Sequence, residues 1–220
     1  MAVKRLYANR FSDSEKKRKD RIWKVLCKSY FQKYVPDDSV VIDIAAGYGE
    51  FINNINTNKN GAKYAIDINP DTEKHLNDDV TFINGCATNL STLEIEFADV
   101  IFISNFLEHI KEKEKIIIIM DSIYKVLKPD GKVIVLQPNI KYCYKQYWDF
   151  FDHHTPISDS SLKELLLLTG FEIEKIIPRF LPFSTKTILP KHPFFVWIYL
   201  KIPILWRVFG KQVLAIAMKK

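Results

Sequence analysis

The sequence predicts an α/β fold built on a largely parallel sheet, and three observations carry that expectation. The run Val40-Val41-Ile42-Asp43-Ile44 is rich in β-branched residues, passes through Ala45 and Ala46 to two glycines, Gly47 and Gly49, and then turns helix-like in pattern. Further apolar runs at 62–66, 80–83, 99–104 and 132–137 alternate with stretches of helical period. A chain of 220 residues, 47% of them hydrophobic, is long enough to bury one substantial core.

Composition excludes some classes. The net charge of +6 comes from lysines and arginines interspersed with acids, and the densest run, Lys16-Lys17-Arg18-Lys19-Asp20-Arg21, falls in a helical stretch where it forms a solvated face. No nucleic-acid partner is expected. Cys27, Cys86 and Cys143 lack CxxC spacing, so neither a disulfide framework nor a zinc site is expected, and a reduced, cytoplasmic compartment fits. The first residues carry positive charge without an apolar stretch, and no secretory signal is expected.

In chain order, Ser12-Asp13-Ser14-Glu15 offers N-cap chemistry for a helix from about Ser14 to Tyr34, with Ile22, Val25, Leu26, Tyr30 and Phe31 on one face. Pro36 ends it. After the first strand and its turn, a helix is predicted from Gly49 to about Thr57, then a strand ending at Asp67, a short helix opened by Asn69-Pro70, and a third strand over Val80–Ile83. The fourth strand spans Asp99–Ser104, followed by a helix from about Ile110 to Val126 whose Ile116–Ile119 run faces largely inward. Lys128-Pro129-Asp130-Gly131 is a stop, since proline cannot continue a helix and glycine accepts positive φ. Lys132–Gln137 is the fifth strand, Asp159–Leu168 a helix capped by Ser158 and ended by Gly170, and Phe171–Ile177 the sixth strand. A last strand is predicted over Gln212–Met218.

The turn at 45–49 is small so that backbone can approach a ligand closely, and the following N–H groups are unpaired donors. A dinucleotide fingerprint requires a third glycine where Ile52 stands, and no Gly-Lys-Ser/Thr phosphate loop follows. Asp67, about 20 residues beyond the glycines, is placed to accept both hydroxyls of a ribose. Adenosine without pyrophosphate fits best.

Val41–Phe51, Ala65–Pro70, Asp99–His109 and Val126–Gly131, in that order, resemble the class I S-adenosylmethionine-dependent methyltransferases. The resemblance implies a Rossmann-like fold: a seven-stranded mixed sheet with helices on both faces, the last strand antiparallel, and an N-terminal helical lid. The chain departs from the family pattern, whose last two strands form a hairpin, by an insertion before the last strand. One domain is expected over 1–220, with a cap at 1–38, a cofactor core at 39–178, the insertion at 179–211 and the last strand at 212–218. It implies S-adenosylmethionine as cofactor and S-adenosylhomocysteine as product. By the same resemblance Gly47 and Gly49 lie beside the methionine part, Asp43 orders the turn, Asp67 holds the ribose, Ile68 packs on adenine, and Ser104 with Asn105 meets the amino group. Ala45 replaces a glycine common in the family. Cys86 stands where relatives often carry an acid toward the adenine amino group, leaving the backbone N–H of Ala87 to complete recognition. Tyr7, Arg10 and Phe11 are candidate lid residues, with surface anchoring of the tail the other reading.

Base candidates cluster in Tyr147-Trp148-Asp149-Phe150-Phe151-Asp152-His153-His154, after the fifth strand, at the edge where open α/β sheets bind ligands. His153 is the favoured base, oriented by Asp152 or Asp149, with His154 and His109 as competitors and helix capping or packing as the structural alternative. Tyr147, Trp148 and Tyr144 are placed to wall an acceptor pocket. Metal binding by Asp152, His153 and His154 is disfavoured because adjacent residues seldom converge on one ion, and no metal is expected.

The expected activity is O-methylation of a small molecule or a carbohydrate precursor, because 147–154, 180–183 and 207–212 resemble bacterial methyltransferases of surface-polysaccharide or glycolipid assembly. A lipid or quinone acceptor at the membrane surface is the second reading, and a non-catalytic cofactor-binding regulator or scaffold the third. The aromatic insertion at 179–211, interrupted by Lys201, Pro203 and Arg207, does not read as a membrane span. It either packs as extra helices on the sheet edge or makes peripheral membrane contact through 192–209.

Overall fold

In the computed structural model, residues 13–88, 90, 93–183 and 192–220 are described. Tyr7, Arg10 and Phe11 lie outside them. Strands β1 (Val40–Ile44), β2 (Ala62–Asp67), β3 (Val80–Asn84), β4 (Ala98–Ser104), β5 (Leu127–Pro138), β6 (Glu172–Ile177) and β7 (Gln212–Met218) form one seven-stranded sheet in the order β3-β2-β1-β4-β5-β7-β6. The pairs among β1 to β5 are parallel, and β7 runs antiparallel between β5 and β6. The chain reverses between β1 and β4, so the carboxyl ends of those two strands open the crevice where ligands bind in such sheets.

Each face of the sheet has its own core. On one side Ile42, Ile44, Ile101 and Val135 pack with Ile119 and Ile123 of α2 (Lys113–Val126) and Leu162 and Leu166 of α4 (Asp159–Leu168). On the other, α1 (Asp13–Leu26) and the irregular turns that follow it bring Trp23 and Phe31 onto Phe102. Phe51 stacks on Phe102 with centroids 3.8 Å apart, fastening the segment after the glycine turn to β4.

The structure corrects the elements at four places. The helix predicted from Gly49 to Thr57 is only a 3-10 turn over Ile52–Asn54. Its asparagines bond elsewhere: Asn53 to the His75 carbonyl and the Asn77 amide, and Asn54 to Asp20. Such side chains compete with helix propagation. The predicted single helix over 14–34 is α-helical to Leu26, then a π turn over Cys27–Phe31 and a 3-10 turn over Gln32–Tyr34. The helix predicted from Ile110 starts at Lys113, and of its isoleucine run Ile116 and Ile119 are buried whereas Ile118 is exposed. The helix does stop before Lys128–Gly131, but the fifth strand, expected from Lys132, starts at Leu127 and takes that segment in as an irregularity: β4 advances from Ala98 to Val100 while β5 advances from Leu127 to Lys132. Asp130 sits there at φ 61°.

The insertion between β6 and β7 forms α5 (Pro193–Lys201) and α6 (Pro203–Phe209). Trp206 packs edge-on against Tyr30 and Phe180, and the Tyr199 hydroxyl donates to the Phe180 carbonyl at 2.7 Å. Among the described residues no helix is long and apolar enough to cross a membrane.

Candidate functional site

At the end of β1 the backbone turns through three residues of positive φ: Ala45 (58°), Gly47 (59°) and Gly49 (71°). Ala45 adopts this conformation at a cost of about 1 kcal/mol, while its amide donates to the Ile66 carbonyl at 2.8 Å. The two glycines are small for different reasons. A Cβ on Gly47 would meet no atom within 4 Å, whereas one on Gly49 would collide with Leu76 at 2.7 Å and Asn53 at 2.9 Å. Gly47 faces open space; Gly49 makes room for protein.

The Asp67 carboxylate closes the turn from the next strand, accepting from the Gly47 amide at 2.9 Å and the Asn69 amide at 2.8 Å. A carboxylate has about four acceptor positions, so two remain for a vicinal diol. Ile68 stands 67% exposed beside it, a flat apolar surface for a base. Asp43 is 3% exposed at the end of β1, and its carboxylate accepts from the Ile52 amide. Burial, then the nearby Glu50, holds its pKa well above the ordinary value against that hydrogen bond. Cys86 is exposed with its sulfur 3.0 Å from the Thr88 hydroxyl, and Ala87 is buried. Ser104 ends β4. Asn105, at φ 48°, reaches its hydroxyl at 2.9 Å and accepts from Gln212 at 2.6 Å. Open space at Gly47, a part-satisfied acid one strand over and an apolar platform beside it fit an adenosine thioether.

The second half of the site lies just beyond β4, where Glu108 and His109 occupy a 3-10 turn over Leu107–His109. The Glu108 carbonyl accepts from the amides of His154 at 2.8 Å and Thr155 at 3.1 Å, which pins the loop after α3 (Ile140–Tyr147) beside it. His109 Nδ1 lies 2.9 Å from the Asp152 carbonyl oxygen and 3.3 Å from its carboxylate. Because a carbonyl can only accept, Nδ1 carries the hydrogen and the neutral ring has its lone pair on Nε2. Asp152 thus lies against His109. His153 is buried at 7% exposure, stacked on Phe150 and 5.1 Å from the His109 ring centroid. Asp149 and His154 are exposed.

Tyr147 is fully buried against His153, with its hydroxyl donating to the Thr155 carbonyl, while Trp148 is 58% exposed. Two residues escaped the sequence reading. Glu108 and Gln137 are both buried, and the Gln137 amide donates to the Glu108 carboxylate. Burial raises the Glu108 pKa, opposed by His109 and Gln137. An amide ending the apolar run Val133–Leu136 was the available signal. Glu108, His109 and His153 each bring one ligand-type atom within 4.8 Å of the others, a different trio from Asp152, His153 and His154.

The sheet order, the turn and the acid ending β2 define a Rossmann-like nucleotide-binding α/β enzyme of the class I methyltransferase type. A family model described as a methyltransferase domain matches residues 10–176, so the chain belongs to that family and is an S-adenosylmethionine-dependent methyltransferase. No curated protein matches the sequence. Solved structures with the same fold include a SAM-dependent methyltransferase from Archaeoglobus fulgidus (23% identity, TM-score 0.65, covering 89% of this chain and 92% of that one). Another is a SAM-dependent methyltransferase from Aquifex aeolicus (14% identity, TM-score 0.61, covering 96% and 100%). A third, from Methanosarcina mazei, is 19% identical with a TM-score of 0.58, covering 86% and 96%.

Proposed function

We propose that this methyltransferase methylates an oxygen of a small molecule or a carbohydrate precursor, with the acceptor proton taken up at the cluster of His109, Asp152 and His153. The observation that carries the reading is the hold of Asp152 on His109 Nδ1, which puts the lone pair of the neutral ring on Nε2, directly after the β4 end. Asp67 would hold the ribose, Ile68 and the Ala87 amide the adenine, the turn at Gly47 the methionine portion, and Ser104 with Asn105 the amino group. Asp43 keeps the turn in shape through Ile52, and Gly49 lets Leu76 close behind it. When bound, S-adenosylmethionine supplies a methyl group on a sulfonium sulfur, an electrophile that needs alignment more than activation.

The chain's own residues then handle the acceptor. His109 Nε2 takes the hydroxyl proton as the oxygen attacks, and Asp152 stabilises the imidazolium that results. His153, set between Phe150 and Tyr147, buttresses the His109 ring, and Trp148 offers an apolar wall to the acceptor. His109→Gln should lower turnover by about 10²-fold, with affinity for S-adenosylhomocysteine unchanged by calorimetry. His153→Gln should lower it less, since it acts through packing. Wild-type turnover in both variants would remove the cluster from the chemistry.

A lipid or quinone acceptor is the second reading, favoured by the exposed aromatic face of α5. Labelled cofactor incubated with separate aqueous and lipid extracts of the source cell distinguishes the two by which fraction carries the label.

A further inference from the structure

We propose that the exposed apolar side of α5 and α6 docks on an anionic bilayer surface and sets the catalytic edge of the sheet against it. Helix α5 buries only Tyr199 and Leu200, with Val196 half-buried against the same core. Its beginning faces solvent, with Phe194 56%, Phe195 46% and Trp197 45% exposed. No residue of α6 is buried, and Ile204 and Val208 are each 59% exposed. Phe194 and Trp197 stack one helical turn apart, with centroids at 6.4 Å, so they present a single surface. An apolar surface of this kind on a water-soluble chain marks an interaction site.

Charge selects the partner. Between Pro178 and Gln212 the chain carries Arg179, Lys186, Lys191, Lys201, Arg207 and Lys211, and no acidic residue. Lys201 lies over the Trp197 ring, 6.0 Å from its centroid, the pairing of aromatic and cation that suits a headgroup boundary. A second copy of this surface would bring like charges together. Helices of nine and seven residues broken at Pro203 are far too short to span a bilayer but can lie in its interface.

The position of the helix pair connects it to the site. Where α6 ends, Arg179 donates to the carbonyls of Val208 and Gly210 and lies over the Tyr142 ring of α3. Lys211 reaches Gln146 of α3 at 3.1 Å, and the next residue, Gln212, bonds Asn105. The surface is therefore anchored to the edge that carries Ser104 and Asn105. The loop after α3 adds Phe151, 90% exposed, at the same edge. Docking there would present the acceptor cluster to a hydroxyl on a membrane-borne carrier, an extension that rests on the oxygen-methylation reading.

The test is flotation of the full-length protein, without cofactor, on vesicles of phosphatidylcholine alone and with phosphatidylglycerol. Binding is expected only with the anionic lipid, weakening as salt rises, with a blue shift of tryptophan emission. The pair Phe194→Ser and Trp197→Ser should reduce binding by at least about tenfold. Lys201→Gln with Arg207→Gln should reduce it at low salt by about fivefold per charge. All four positions are solvent-facing, and unchanged calorimetry with S-adenosylhomocysteine shows that the fold is kept. Absence of vesicle binding overturns the proposal, as does equal binding to neutral lipid, or self-association in sedimentation that the serine pair abolishes. Vesicle binding without any oxygen-methylated product would overturn the acceptor chemistry and leave the docking intact.

Discussion

The proposed cofactor side and the proposed acceptor side of this site are built from different materials. Around the proposed cofactor position the surface is mostly backbone, a turn held at positive φ with side chains kept small at Ala46, Gly47 and Gly49, joined by one carboxylate, Asp67. Around the proposed acceptor position it is made of side chains far apart in the chain, Glu108 and His109 after β4, Gln137 on β5, and Asp152 and His153 beyond α3. A backbone site tolerates little variation in sequence because only small residues allow it. A side-chain site can be assembled from many sequences, provided the fold brings the pieces together.

The contrast is broken most directly at Asp67. Asp67→Ala removes the acceptor for both ribose hydroxyls and should weaken S-adenosylhomocysteine binding by about 10²-fold, on the order of two charge-assisted hydrogen bonds. Calorimetry reads this, and an unchanged affinity would remove the nucleoside from this edge. The glycines come next. Gly49→Ala should cost about 2 to 3 kcal/mol in denaturant unfolding, because a collision at 2.7 Å adds to a φ of 71°. Gly47→Ala, with open space before it, should cost only about 1 kcal/mol of stability yet weaken the ligand by about tenfold. If the two variants behave alike, the distinction between a ligand-facing and a protein-facing glycine is lost.

The smallest effect concerns pH. Asp43 has its folded pKa raised by burial, so the folded chain holds that proton longer than the unfolded one. Stability contributed at low pH is therefore lost as pH rises from the unfolded value of about 4 through the folded value. Asp43→Asn cannot ionise and keeps an oxygen for the Ile52 amide. Relative to wild type it should gain stability as pH rises from about 4 toward neutrality. Parallel melting curves for the two proteins across that range would show that Asp43 does not carry this linkage.

Strands were the most legible part of the chain, since runs such as Val100–Ile103 and Val133–Leu136 are buried on both faces and read as continuous apolar segments. The segment after the glycines was misread as helix because its spacing suits one. Asn53, Asn54 and Asn56 instead bond to residues brought close by β2, α1 and the turn after it, partners that no local pattern announces. The histidines were visible as candidates, but their contacts were not. Which of them meets Asp152 depends on how the loop is pinned by the Glu108 carbonyl, a contact across more than forty positions.

Sequence alone determined the alternation of strands, the small-residue turn and the acid that follows it, because these depend on local sterics and on spacing between two consecutive strands. Tertiary structure decided which glycine faces open space, which histidine meets Asp152, and which aromatics of the insertion stay in water. Those outcomes depend on distances between segments remote in the chain, and they are set only when both faces of the sheet are packed.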